Sequence, residues 1–255
     1  MKPKSNRIQP QKYVGYSRLR KWTALIILLL CLLSIITLVL CPLRNTVIRL
    51  TLVSLLIVLW FTLLFLCWPL RKVRHCFLGL SLLFCLFIAM PPHRFDMNEL
   101  RREYIRSLLR YKSVPYFLGA EGFSAIDCSG LVRQGFVDAC FIRGLKTLNG
   151  GLVRYALLLW WHDCSAKAMR DRYQGRTELL FKAQNLNLLD HETLLPGDIA
   201  VTQSGAHCLV YLGENQWIQA DPVQAKVIVE TIPSDSGWFL MPVFIMEWTP
   251  LHVLR

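Results

Sequence analysis

Three uncharged apolar runs fill much of the first third of the chain, and the mixed pattern of a folded domain begins only at Asp96. Trp22 to Cys41 is twenty residues without a charge, and Leu50 to Leu70 is a further twenty-one. As helices rising about 1.5 Å per residue, each is long enough to cross about 30 Å of hydrocarbon. The third run, Cys76 to Met90, is fifteen residues and extends over Pro91 and Pro92. A span over about 74–91 fits if Arg74 snorkels and the bilayer adapts. Its apolar residues lie all round, unlike those of an interfacial amphipathic helix. A tail, 1–21, precedes the runs; it is basic and rich in turn formers, and is expected to be disordered. No small-residue cleavage site follows the first run, so that run reads as a retained span rather than a signal peptide.

From Asp96 to the C-terminus the periodicity is that of an α+β domain, residues 96–255. Asp96 and Glu99 form a capping-box pattern, and Leu100, Tyr104, Ile105 and Leu108 line one helical face. Ser113 and Pro115 end that helix. A loop with Gly119 and Gly122 leads to a second helix, Cys128 to about Cys140, capped by Ser124 or Asp127. Leu131, Val132, Phe136 and Val137 recur along it at helical spacing. Residues 141–180 read as mostly helical, over Leu152–Trp161 and Ser165–Tyr173. His162, Asp163 and Cys164 are adjacent there and so point in different directions, which favours capping or surface roles over a site. After the turn Leu195-Pro196-Gly197-Asp198 the signal changes to short β-rich runs: Ile199–Thr202, His207–Leu212, Gln216–Ala220, Lys226–Thr231 and Pro242–Trp248. Helices followed by consecutive strands predict helices packed on an antiparallel sheet.

Charge sharpens this division. Residues 1–95 carry thirteen Lys and Arg and no acidic residue, while the other 160 residues hold sixteen basic and seventeen acidic ones. The domain is therefore near neutral, and a nucleic-acid footprint is missing from it. The positive charge instead reads as membrane topology. Seven basic residues precede the first span, two lie in the first loop and three in the second. The positive-inside bias places the N-terminus in the cytoplasm, loop one outside and loop two inside. Three spans, the favoured reading, put the domain outside; two would put it in the cytoplasm. Of nine cysteines, Cys31, Cys41, Cys67, Cys76 and Cys85 lie in or beside apolar segments. Cys128, Cys140, Cys164 and Cys208 show neither zinc spacing nor a disulfide framework.

Cys128 carries the candidate chemistry. A thiol at a helix N-terminus faces unpaired N–H groups and the positive end of the dipole, both of which favour thiolate. A nucleophile of this kind needs a base and a group to orient it. His207 opens a predicted strand that turns at Gly213-Glu214-Asn215. A hairpin centred on Gly213 sets Gln219 opposite His207, whereas a small shift brings Asp221 there instead. Strand alternation turns Cys208 to the other face, away from the site.

These residues fall into a pattern: Pro115-Tyr116, Gly119, Asp127-Cys128-Ser129-Gly130-Leu131-Val132, Leu195-Pro196-Gly197-Asp198, His207 with Val210-Tyr211-Leu212-Gly213, and Trp217-Ile218-Gln219-Ala220. Over about residues 98–250 the chain resembles the NlpC family of cell-wall cysteine peptidases. The resemblance implies a papain-like α+β fold, with a nucleophile helix packed on an antiparallel sheet. It implies hydrolysis of amide bonds in peptidoglycan stem peptides, typically between D-glutamate and a diamino acid, with no cofactor and no metal. By the same resemblance Cys128 is the nucleophile, His207 the base and Gln219 the third polar position. Tyr116 matches a tyrosine that assists the oxyanion, and Asp127 and Ser129 match positions that hold the stem's free amine in some members. Three features depart from the pattern: Gln219 stands where histidine is commonest, Ala120 replaces a second glycine, and residues 141–180 are longer and more apolar.

The expected protein is thus a multi-pass protein of an inner or cytoplasmic membrane, with spans near 22–41, 50–70 and 74–91 within 22–92 and an extracytoplasmic peptidase. Its expected partners are the lipid bilayer and the stem peptides, and not nucleic acid. The competing readings are a membrane-associated thiol amidase or acyltransferase on the same fold, and a catalytically silent binding domain.

Overall fold

The computed structural model describes residues 11–43, 45–92 and 95–252, and the side chains from Leu19 onward within these. Three helices, α1 (Gln11–Leu40), α2 (Thr46–Cys67) and α3 (Arg71–Ala89), carry the apolar runs. Leu19–Leu40, Thr46–Cys67 and Arg71–Ala89 are long and apolar enough to cross a membrane. The tail expected to be disordered over 1–21 is instead helical from Gln11, while its first ten residues lie outside the described residues. No proline occurs between Pro10 and Pro42, so a helix nucleated in the apolar run propagates back through Lys21, Arg20 and Arg18. The chain divides into two compact units. One holds α1, α2 and α3 as far as Leu83. The other holds the segment Cys41–Thr46 and everything from Phe84 onward.

The second unit is an α+β domain. Helix α4 (Met97–Leu109) is capped by Asp96, whose carboxylate accepts from Asn98 N and Glu99 N. Helix α5 (Cys128–Lys146) is capped by Asp127, and α6 (Gly150–Trp161) by Asn149, followed by the short α7 (Ala166–Arg170). Six strands follow: β1 (Thr177–Ala183), β2 (Ile199–Thr202), β3 (Cys208–Gly213), β4 (Gln216–Asp221), β5 (Lys226–Thr231) and β6 (Val243–Trp248). They form one antiparallel sheet in the order β1-β6-β2-β3-β4-β5. Residues 141–180, expected to be mostly helical, end in β1, which pairs with β6 at the sheet edge. Its sequence, Thr-Glu-Leu-Leu-Phe-Lys-Ala, has no clean alternation because an edge strand next to a bulge is only partly covered.

One face of the sheet packs on the helices. Ile199, Val201, Cys208, Val210, Ile218, Ala220, Met246 and Trp248 meet Leu100, Tyr104, Leu108, Leu131, Val132 and Phe136 in the main core. Phe136 stacks on Trp248 with ring centres 4.7 Å apart. The opposite face carries Ala200, Leu209, Tyr211, Trp217 and Ile245, closed over by Leu186, Leu194 and Phe239.

Arg133, on α5 and fully buried, ties three segments together. It pairs with Glu121 in the loop before α5, and its Nη1 donates to Leu159 O at 2.6 Å and His162 O at 2.8 Å at the end of α6. A buried charge network of this kind tolerates loss of one member poorly, because the rest stays desolvated. Arg133→Met, nearly isosteric, leaves Glu121 and the α6 carbonyls without it. We expect a loss of about 3–5 kcal/mol of stability, read as a lowered denaturation midpoint of the full chain in detergent.

Candidate active site

The site is built where α5 begins. Asp127 Oδ1 accepts from Gly130 N at 2.6 Å and from Ser129 Oγ at 3.0 Å, while Oδ2 accepts from Gly119 N at 2.8 Å. One carboxylate therefore caps the helix and clamps the preceding loop to it. Gly130 is needed for this closeness: a Cβ there would lie 2.7 Å from Ala120 O. The result holds Cys128 in the first turn, with the N–H groups of Cys128 and Ser129 at the helix's positive end. Asp127 and Ser129, expected to meet the substrate's amine, are both buried and bonded to each other within the cap. Burial raises the Asp127 pKa, against its hydrogen bonds from Gly130, Gly119 and Ser129.

His207 lies one residue before β3 and is buried, with only 1% of its surface exposed. Its register differs from the one expected. Glu214 and Asn215 form a two-residue turn, both with positive φ (51° and 60°), so the hairpin is centred beyond Gly213. A bulge near Tyr211 shifts the ladder, and Val210 pairs with Ile218. Continued toward the strand start, that pairing sets Asp221 across from His207 and Gln219 on the diagonal. The imidazole nevertheless bonds Gln219: His207 Nε2 lies 2.6 Å from Gln219 Oε1. Asp221 is engaged elsewhere, accepting from Val223 N, Gln224 N and Trp238 Nε1. Trp238 in turn stacks on His207, with ring centres 4.1 Å apart.

Glu230 on β5, not anticipated from the sequence, fixes the Gln219 amide. Gln219 Nε2 donates to Glu230 Oε2, and Ser234 Oγ donates to Glu230 Oε1 at 3.2 Å. With its nitrogen held by a carboxylate, Gln219 presents oxygen to the imidazole, so His207 Nε2 is the protonated nitrogen and Nδ1 the one left for the thiol. Only the pairing of β4 with β5 could have exposed this partner; Glu230 sits in a strand of ordinary composition.

Cys208 is the larger surprise. Alternation sends it to the helix-facing side with Val210, and that is the side on which Cys128 packs. The expectation that it points away fails because α5 lies over this face at the start of β3. The Cys208 thiol donates to the Cys128 sulfur, and this is the strongest influence drawing the Cys128 pKa well below the ordinary thiol range. Burial opposes it, while hydrogen bonding to His207, the imidazole's charge and the Cys208 N–H add to the lowering. Cys208 shifts the opposite way, raised first by burial and then by its bond to Cys128. Tyr116 stands near, its hydroxyl pushed up to about 12 by burial and by the negative charge at Cys128 and Asp127, so it stays a donor. Among the described residues no cluster of His, Cys, Asp and Glu could hold a metal ion.

A pocket of about 530 Å³ is lined by Trp238 together with Asp221, Glu230, Ser234 and Met241 among others. Cys128 itself is 7% exposed. The arrangement is a buried thiol with a lowered pKa beside an oriented imidazole, a pairing suited to acyl transfer at a carbonyl that reaches the sulfur. Thiolate reactivity needs no identified substrate to be measured. The pH profile of Cys128 alkylation by iodoacetamide, followed on its peptide by mass spectrometry, should have its midpoint below that of an ordinary thiol, about 8.5. Cys208→Ala should move that midpoint upward and slow alkylation several-fold at pH 6, while Cys208→Ser, which keeps a donor, stays nearer the parent.

Several solved structures are similar to this chain. NlpC1 from Trichomonas vaginalis is 19% identical over 62% of this chain and 46% of that one, with a TM-score of 0.39. NlpC2 from the same organism is 18% identical over 61% of this chain and 49% of its own, also at 0.39. The peptidoglycan hydrolase RipB from Mycobacterium tuberculosis is 20% identical over 62% of this chain and 67% of that one, at 0.37. The chain thus spans about half the length of the two Trichomonas chains. No curated protein matches. The family model described as NlpC/P60 matches residues 113–238, a stretch that runs from the loop before α5 through Cys128, His207, Gln219 and Glu230 to Trp238. Residues 113–238 of this chain are an NlpC/P60 family domain.

Proposed function

We propose that this chain is a membrane-anchored cysteine peptidase that hydrolyses amide bonds of peptidoglycan stem peptides, with Cys128 as nucleophile, His207 as base and Gln219 as the group that orients it. The observation that carries the reading is the hydrogen-bonded series His207, Gln219 and Glu230, with the imidazole among the groups that lower the Cys128 pKa, inside an NlpC/P60 domain. Thiolate Cys128 attacks the scissile carbonyl, and the first N–H groups of α5 stabilise the oxyanion, joined by the protonated Tyr116 hydroxyl. Protonated His207 gives its proton to the leaving amine. The neutral imidazole then takes a proton from water, which releases the acyl group and regenerates the thiolate. Gln219 and Glu230 keep Nδ1 directed at the reacting sulfur throughout.

Topology supports an extracytoplasmic substrate. Pro42 O accepts from Glu121 N at 2.9 Å, and Leu43 bridges Ala120, so the segment between α1 and α2 is bonded to the domain. Both must then lie on one side of the bilayer. Three crossings satisfy this; two would leave the loop and the domain on opposite sides. The seven basic residues before the first apolar run and the three in the second loop support an outward assignment of that shared side.

Purified full-length protein should clear wall material in a zymogram and release stem-peptide fragments. Cys128→Ala should lower that activity at least about a thousandfold. Glu230→Ala should lower kcat by about 10- to 100-fold with KM near the parent value, because the freed amide no longer fixes the imidazole tautomer. A periplasm-dependent reporter fused at the C-terminus should be active; an inactive fusion there, or wall activity that survives in Cys128→Ala, rules the proposal out.

A further inference from the structure

Helix α6 and the loop before the nucleophile share features that the peptidase chemistry does not use. On α6, Leu152, Val153, Ala156 and Leu159 are buried in the domain, while Leu157, Leu158 and Trp161 remain 44%, 47% and 37% exposed. In the loop, Phe117, Leu118 and Phe123 are 55%, 74% and 63% exposed. Charge is nearly missing from both. Arg154 is the one charged residue of α6, and it donates to Ile88 O at 2.6 Å and Met90 O at 3.2 Å. Glu121 is the one charged residue between Ser113 and Ile126, and it is turned inward to Arg133. An exposed surface with few charges and several large apolar and aromatic side chains is costly in water but fits the headgroup–acyl boundary.

Both surfaces are also fastened to the chain where it leaves an apolar helix. Pro42, two residues past the end of α1, is bonded to Glu121, and Leu43 bridges Ala120. Ile88 and Met90, at the end of α3, are bonded to Arg154, whose cation suits a helix C-terminus. Gly151 packs against Pro92, where a Cβ would meet its Cα at 2.6 Å. Each apolar surface is therefore bonded to a segment at or just past the end of an apolar helix.

We propose that the exposed face of α6 and the loop Phe117–Phe123 together form a lipid-facing surface that seats the domain in the headgroup region of the bilayer. The loop continues through Ile126 and Asp127 into Cys128, and Tyr116 bridges Ile126, so one wall of the thiol site lies at the lipid surface. Such seating favours amides presented close to the membrane over those in the distant wall. This consequence for substrate class rests on the peptidase reading; the lipid contact itself does not.

The test therefore avoids catalysis. The photoreactive residue p-benzoylphenylalanine is placed singly at Leu118, at Leu157 and, as reference, at Leu188, which is 75% exposed in the β1–β2 connection. The full-length protein is irradiated in nanodiscs of phosphatidylethanolamine and phosphatidylglycerol, and adducts are identified by mass spectrometry. Phospholipid adducts at 118 and 157, several-fold above those at 188, are expected. Adducts at reference level at either position, or cross-links to a second copy of the chain in their place, overturn the proposal. Intact Cys128 alkylation in the same samples separates a failure of lipid seating from a failure of the thiol site.

Discussion

A single carboxylate sets where the thiol stands. Asp127 receives Gly130 N, Ser129 Oγ and Gly119 N, so the helix start and the loop that faces it are fixed by one group. An N-cap is ordinarily worth about 1 kcal/mol, but here its geometric consequence is larger than its energy. Without it the first turn of α5 could fray, and Cys128 sits in that turn. The loop would also lose its hold at Gly119, although Ala120 O still accepts from Asp127 N at 3.0 Å. Burial raises the pKa of this carboxyl, yet three donors hold it, so the site's position rests on a partly desolvated group kept in place by its partners.

Much of this was readable in the chain. The Asp96 and Asp127 caps are local, and short polar side chains before an apolar periodicity declare themselves within four residues. The strands β2 to β6 were legible because turn formers separate short β-rich runs. What failed was long-range. β1 takes its strand character from β6, more than sixty residues away, and not from its own alternation. The hairpin register moved because Glu214 and Asn215 form the turn and a bulge follows, a change of one or two positions that strand propensity does not encode. Gln219 still meets His207 because a long amide reaches a diagonal neighbour as well as an opposite one.

Cys208 shows how parity can be right and its interpretation wrong. Alternation does separate its side chain from that of Leu209, but which face matters is decided by where α5 lies, and the strand's own sequence does not say. Once the helix covers that face, two thiols are brought together in a buried place. Only one of them can ionise cheaply, since a second negative charge alongside would be uncompensated. His207 and the helix start favour charge on Cys128; burial without a cationic partner keeps Cys208 protonated and therefore a donor. The asymmetry of the pair follows from position alone, with identical side chains.

The domain's attachment follows the same logic of backbone groups seeking partners. The last carbonyls of α3 would be left without intrahelical donors, and near a bilayer surface such groups are expensive. Arg154 supplies donors to two of the carbonyls there, at Ile88 and Met90, and Gly150 and Gly151 let α6 approach closely enough for it to do so. A side chain at Gly150 would bring its Cβ to 1.8 Å from Phe87 O, which no rotamer could relieve. The close packing of α6 on this segment therefore depends on two residues that have no side chain at all.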